Sequence, residues 1–396
     1  MSDATAAQGG RRARLRSDAG WRAVVAAFAF NGCLFGAWAA RVPTFKERFD
    51  LDAGTLGLLL LVLAGGAIAS FPFAGSLSER WGSDRLTVCC AWLYGPSLVF
   101  LALSPSVVLL GVSLFIFGAL HGAMDVAMNG WAARVEASLQ RSAMSVFHAM
   151  FSMGAGLGAA SGFAALKLGL GPLAHFIIVA ALGGAAAFMF LTRARVPVGR
   201  AGKGDRSLPL VTLPSGGLLL VGLIAFSVAI GEGAMADWSA VFLHTIISAT
   251  EAQAALGYAV FSVAMVLTRL CGGALVELFG PVATTRLSGA TAFAGLMTVI
   301  VTQSLWVALA GFALVGVGYA VVMPLVFSRA AADLYVRPGP AIASVATLSY
   351  GGMLLGPPVV GFIAEVTNLR ISFAALALLC LLAVLLAGQL RIRAKA

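Results

Sequence analysis

The segment HGAMDVAMNG (121–130) places His121, Asp125 and Asn129 four residues apart, so on an α-helix the three share one face. An imidazole, a carboxyl and an amide in that register can take up and release a proton, or hydrogen-bond a polar solute. Their flanks are apolar: VVLLGVSLFIFGAL comes before, and no further charge follows until Arg134. Two more acids, Glu232 and Asp237, lie in GEGAMADWS (231–239), also within an apolar run. No nucleophile paired with a base, no phosphate loop and no cluster with metal-ligand spacing accompanies them. Neither an enzyme nor a cofactor or metal is therefore expected. Cys33, Cys89, Cys90, Cys271 and Cys380 sit in apolar segments and read as small core residues without a disulfide framework.

The elements that carry these residues follow from composition. Of 396 residues, 60% are hydrophobic and 11% charged, and the mean hydropathy is +0.97. A soluble domain carries about 25% charged residues. The chain is expected to be an all-α polytopic membrane protein, because a bilayer offers the backbone no hydrogen-bond partners and helices supply their own. The 47 glycines suit close helix packing. The net charge of +10 could suggest nucleic acid. The basic residues instead lie between the apolar segments, which is a topology signal, so no nucleic-acid partner is expected.

Spans of about 20 apolar residues are expected near 21–40, 54–77, 86–104, 106–131, 143–168 and 172–192, then near 214–243, 252–276, 283–303, 305–328, 340–364 and 370–390. This divides the chain into a disordered basic cytoplasmic tail (1–20), a six-helix bundle (21–192), a cytoplasmic linker (193–213), a second bundle (214–391) and a short tail (392–396). With the N-terminus inside, only Arg41, Lys46, Arg48, Lys167 and Arg370 fall on outer segments and Arg269 within a span. All other Lys and Arg are inner, so both termini are expected in the cytoplasm, with the chain in the cell (inner) membrane.

The two sets of six are related. GSLSERWG (75–82) follows span 2 and GALVELFG (273–280) follows span 8, both reading G-x-L-x-E-x-aromatic-G at an offset of 198. WAA (38–40) with WSA (238–240), and Leu56-Gly57 with Leu256-Gly257, repeat at 200. Several matches near one offset indicate duplication, and an even number of spans makes the repeats parallel. The loop GSLSERWGSDRL resembles the G-x-L-x-D-R-x-G-R-R signature of the major facilitator superfamily, with Glu79 in place of Asp and Ser83-Asp84 at one of the basic positions. Within that superfamily the chain resembles the fucose-permease branch of sugar–proton symporters. The features shared with that branch are Asp125 and Asn129 in span 4, Arg141, Phe147 and Phe151 in outline at the start of span 5, and Trp238-Ser239 in span 7. Arg269 in span 8, Pro324, Phe327 and Ser328 in span 10, and GGMLLGPPVVG (351–361) in span 11 complete the likeness. The branch's late span 1 acid is replaced by Ala39.

The resemblance implies two six-helix halves and alternating access to a small-molecule substrate. A charge at the bilayer centre costs on the order of 3 kcal/mol, so intramembrane acids point to function. Asp125 is the expected proton-coupling residue and Glu232 the second. Asn31, Trp38, His121, Asn129, His148, Trp238 and Tyr350 are candidate substrate contacts, each equally readable as a packing or structural residue. Arg41 and Asp237 are either an outer-gate ion pair or separate snorkelling charges. Glu79, Arg80 and Glu277 are expected to cap helices at the inner gate, and Arg269 to pair there with Glu277 or helix carbonyls. His175 and His244 are expected to be solvated. Gly154, Gly158 and Gly162 form a close-packing face. The expected function is proton symport of a sugar or sugar-like solute, with protons and lipid as the other partners and one chain sufficing. Proton-coupled export and a non-transporting sensor are the rival readings; a span 5 lacking proline and the lack of an output domain weigh against them.

Overall fold

The computed structural model describes residues 2–51, 53–192, 214, 216–249, 253 and 256–391. The linker over 193–213 and the tail over 392–396 lie outside the described residues. The elements in chain order are α1 (Ser2–Ala39), α2 (Val42–Arg48), α3 (Ala53–Trp81), α4 (Ser83–Leu103), α5 (Val107–Leu139), α6 (Met144–Lys167) and α7 (Pro172–Leu191). Then come α8 (Gly217–Thr245), α9 (Leu256–Val301), α10 (Leu305–Tyr319), α11 (Val322–Ala331), α12 (Pro338–Val366) and α13 (Leu369–Leu386), with a closing 3-10 turn, Ala387–Leu390. No strand occurs among the described residues. Where a disordered tail is expected over 1–20, the backbone is helical from Ser2; alanine and arginine, both strong helix formers, recur through that segment.

Among the described residues, eleven helices are long and apolar enough to cross a membrane. One of them, α9, has 46 residues and is broken at Gly280, where φ is 74°. At 1.5 Å per residue it would be more than twice as long as a hydrocarbon core of about 30 Å. Its two parts, 256–279 and 281–301, are each about 20 residues long, so the described residues supply the twelve expected spans. Gly82, which closes the first copy of the repeated loop motif, likewise has a positive φ of 93°. Both copies therefore end on a residue whose backbone favours glycine, and for one reason: each must reverse the chain between spans.

Two compact units are present. The first comprises Met1–Arg141 and Met150–Val211, the second Ser142–Ala149 and Thr212–Ala396. Residues 142–149 group with the second unit because Ser145 Oγ donates to the Arg269 carbonyl (2.7 Å) and the Ser142 carbonyl faces Gly273.

Inside each unit, helices meet where glycine removes the side chain. In the first, a β-carbon on Gly154 or Gly158 would strike the Ala29 or Cys33 carbonyl of α1, and one on Gly118 of α5 would strike the Leu63 carbonyl of α3. In the second, Gly352 and Gly356 of α12 meet the Phe226 and Ile230 carbonyls of α8, while Gly316 of α10 meets the Phe261 carbonyl of α9. Gly352 stands 198 positions after Gly154, Gly356 after Gly158, Gly316 after Gly118 and Phe261 after Leu63. The duplication read from the loop motifs is thus also a duplication of helix contacts. Gly162 extends the expected face onto Ala40. The cysteines depart from expectation: Cys90 and Cys380 are buried and Cys33 half-buried, but Cys89 and Cys271 are exposed.

Helix ends are tied by side chains. Arg48 of α2 donates to the Ala102 and Ser104 carbonyls (2.8 and 3.1 Å) at the end of α4, satisfying acceptors the helix leaves open. After α11, Asp333 accepts from Arg329 Nη1 (3.0 Å) and from the Tyr335 and Val336 amides (3.0 and 3.1 Å). Burial pushes the Asp333 carboxyl up, but the Tyr335 amide, Arg329 and the Val336 amide outweigh it and hold the carboxyl below the usual carboxylate range.

Two predictions follow from these contacts. Gly158→Ala lowers the thermal midpoint of the detergent-solubilised chain, by the equivalent of about 1–3 kcal/mol. Gly156→Ala, on the same helix but facing open space, leaves it unchanged. Asp333→Asn lowers the midpoint at pH 7 by the equivalent of roughly 1–3 kcal/mol. Because the folded pKa lies below the unfolded one, that stabilisation is fully present above the ordinary carboxylate pKa. It is lost as pH falls through the folded value, so variant and wild type converge in acid. Midpoints recorded from pH 7 downward check this.

Candidate functional site

In the first unit, the polar stripe of α5 is buried. Asp125 is 9% exposed, His121 4% and Asn129 0%. Asn129 Nδ2 donates to the Asp125 carbonyl (2.9 Å) and to its carboxylate Oδ1 (3.2 Å). The four-residue spacing that aligns the pair on a face also closes this bond, so Asn129 orients the acid. His121 Nδ1 meets the Tyr94 hydroxyl of α4 at 3.0 Å, and its ring stacks on Phe35 of α1 with centroids 4.9 Å apart. Asn31 of α1, fully buried, donates to the His121 carbonyl at 3.4 Å. Its Oδ1 has no hydrogen-bond partner among the described residues. Three helices thus converge on His121, and the Asp125 carboxyl, bonded to Asn129, stands one turn away. Tyr94 was missed by sequence reasoning. The available signal was one of only five tyrosines, set inside the apolar run CCAWLYGPSL.

In the second unit, Arg269 Nη2 lies 3.5 Å from Glu232 Oε1, with the arginine side chain 6% and the glutamate 28% exposed. Arg269 Nε also donates to the Ala320 carbonyl at 3.1 Å. The carbonyl part of the expectation for Arg269 therefore holds, but its acidic partner is Glu232. Glu277 is exposed, and at eight residues from Arg269 it stands two turns further along the helix. Gly231 lets the Glu232 segment close on Tyr319, whose hydroxyl occupies the space a β-carbon would need. Tyr319 in turn meets Cys380 Sγ at 3.4 Å. Asp237 is exposed. The His148 ring stacks on Phe327 with centroids 5.7 Å apart, and Tyr350 is half-buried.

The tryptophans are held by packing. Trp38 is 3% exposed and lies against Phe45 and Phe117, with centroids at 5.2 and 6.4 Å. An aromatic so enclosed offers no face to a solute. Trp238 Nε1 donates to the Pro357 carbonyl at 3.0 Å, an acceptor in a helix whose regular bonding the two prolines 357 and 358 interrupt.

Arg41 is engaged within its own unit. It is 1% exposed, Nη2 donates to the Leu170 carbonyl (2.7 Å), and Nε donates to His175 Nδ1 (3.2 Å). His175 Nε2 meets Ser161 Oγ at 2.9 Å. His175 is therefore not solvated as expected but 2% exposed, because it is the acceptor that a buried guanidinium requires. His244 is half-held, its Nδ1 2.9 Å from the Ala249 carbonyl.

At the loop after α3, Arg80 is exposed and Glu79 half-buried. Just beyond this loop, Asp84 forms an ion pair with Arg134 at 3.0 Å. Asp84 sits in the first turn of α4, where the helix favours an anion. Sequence reasoning treated Asp84 as a departure from the signature; the structure makes it the tie between α4 and α5. No group of three or more metal-binding side chains occurs among the described residues.

Membrane-length helices, a duplicated six-span plan and partly buried acids inside the spans define a polytopic membrane protein of the transporter type. Comparison with known proteins gives the family: the chain belongs to the major facilitator superfamily, whose family pattern it matches over residues 23–335. It is 44% identical over 372 residues to the uncharacterized transporter y4wD of Sinorhizobium fredii, covering 94% of this chain and 98% of that one. It is 35% identical over 355 residues to an uncharacterized MFS-type transporter of Yersinia pestis, covering 90% and 91%. Its fold is similar to that of the E. coli fucose:proton symporter FucP, with a TM-score of 0.76 at 16% identity over 94% of this chain and 98% of that one.

The Glu232–Arg269 pair yields a prediction. Glu232→Gln leaves a buried guanidinium without its counter-charge and lowers the thermal midpoint by the equivalent of about 1–3 kcal/mol. The double change Glu232→Gln with Arg269→Gln recovers part of that loss. A double variant no better than the sum of its singles would show that the two do not interact.

Proposed function

We propose that the chain is a proton-coupled secondary transporter that imports a small polar solute, a sugar or sugar-like metabolite, by alternating access. Asp125 takes up and releases the proton, and Glu232 is the second titrating group. The observation that carries this reading is Asp125 itself. It is a carboxyl 9% exposed in a 33-residue apolar helix, its partner Asn129 a neutral amide that can hydrogen-bond either protonation state. An acid placed there at the membrane cost has a reason to be an acid. The fold likeness to a solved structure titled as a fucose:proton symporter supports the solute class.

His121, Asn31, His148 and Tyr350 contact the solute in this proposal. Trp38 is left to packing. Arg41, Asp237, Glu79, Arg80, Arg269 and Glu277 set the conformational equilibrium, with Arg269 acting through Glu232. The chain works as a single copy in the cell (inner) membrane with both termini cytoplasmic. It draws on the proton gradient and catalyses no chemical reaction.

Proteoliposomes with an internal pH dye, screened with sugars, polyols and small acids, test the proposal. A transported solute acidifies wild-type vesicles, and Asp125→Asn abolishes the signal while solute exchange persists. Unchanged proton flux in Asp125→Asn removes this residue from coupling. Alkalinisation assigns the chain to antiport.

A further inference from the structure

At one end of the second unit, three helix termini and a loop surround a cavity of about 830 Å³. They are the start of α8, the end of α11, the 332–337 loop and the 3-10 turn after α13. The volume is that of a small-ligand site. Its charged lining is Arg329, Asp333 and Arg391, one net positive charge.

Arg329 is held in place with one nitrogen to spare. Nη1 is bonded to Asp333 and Nε to the Gln389 carbonyl (3.1 Å). Nη2 makes no hydrogen bond among the described residues. It points at the first turn of α8, 3.9 Å from where a β-carbon on Gly217 would stand. The α8 N-cap, Gly216, supplies no side-chain bond to that turn, so the helix presents open backbone donors there. Arg391 is exposed at the rim. The donors on this wall outnumber the acceptors, and Asp333 is already occupied by three.

Apart from Gln389, the side chains of the remaining lining are apolar or interfacial. Leu218, Leu220 and Val336 contribute apolar surface. At the edge Tyr335 is 91% and Leu334 37% exposed, a pairing suited to the zone between headgroups and acyl chains. A free anion would use the arginines and leave this surface uncovered.

We propose that this cavity binds the phosphodiester headgroup of an anionic phospholipid. Arg329 Nη2, the first turn of α8 and Arg391 receive the phosphate, and the Tyr335 edge lies against the glycerol backbone. Basic pockets between helices at a membrane surface are suited to such headgroups. A zwitterionic lipid brings a cation that finds only the occupied Asp333. The site is separate from the proposed transport residues and stands whatever the solute is.

The test uses the full chain, delipidated in detergent and offered phosphatidylglycerol or phosphatidylcholine, with native mass spectrometry counting retained lipid. Wild type is expected to retain about fivefold more phosphatidylglycerol, the discrimination that roughly one arginine near a membrane surface provides. Arg391→Gln is expected to bring the ratio close to one. Tyr335→Ser, at a position too exposed to affect folding, is expected to lower retention of both lipids and serves if Arg391→Gln does not give monodisperse protein. Equal retention of the two lipids by wild type overturns the proposal, as does a ratio unaltered by Arg391→Gln or retention unaltered by Tyr335→Ser. Inorganic phosphate raising the thermal midpoint as much as phosphatidylglycerol overturns the lipid assignment in favour of a soluble anion.

Discussion

Close approach of paired helices at glycine is the constraint on which each half is built. Apolar side chains gain nothing by leaving lipid for another helix, so packing distance has to supply the association. Gly32 and Gly36 bring α1 onto the Phe151 and Ala155 backbone of α6, and Gly154 and Gly158 return the contact from the other side. With α1 set in this way, Asn31 and Phe35, next in sequence to those glycines, reach His121 of α5. Gly352 and Gly356, 198 positions after Gly154 and Gly158, make the same approach to α8 in the second unit, so the duplication preserved the fit of backbones while the polar residues diverged.

That divergence separates the two halves chemically. The first centres on a hydrogen-bonded group, Asn31, Tyr94 and His121, with Asp125 tied to Asn129. The second holds an opposite-charge pair, Glu232 with Arg269, pinned by the Ala320 carbonyl at one end and by the Tyr319 contact at Gly231 at the other. Polar groups in a membrane must find partners. Each half pairs its central polar groups locally, Asn31 Oδ1 excepted, and span 1, with Ala39 in place of an acid, still carries Asn31 into that centre.

Much of the architecture was legible in the sequence because hydropathy, glycine spacing and charge distribution act along the chain. The twelve spans were readable, including the division of α9, since a 46-residue apolar helix is too long for one crossing. The glycine face of span 5 and the repeat were readable too. The short helix α2 and the exposure of Cys89 and Cys271 were not; they depend on what lies beside each segment. In the candidate site, Asp125 and Asn129 were found together because their contact is one helical turn long.

The sequence by itself determined the solvent, the helical class, the duplication and which positions inside the spans are polar, because these depend on residue type and on spacing along one chain. Only the tertiary structure decided which polar groups meet. Arg269 took Glu232 rather than Glu277, His175 became the acceptor for Arg41, Tyr94 turned to His121, and Asp84 closed on Arg134. Partners on different helices depend on how each helix is rotated and how near it can come, and those are set by contacts between segments rather than by spacing within one.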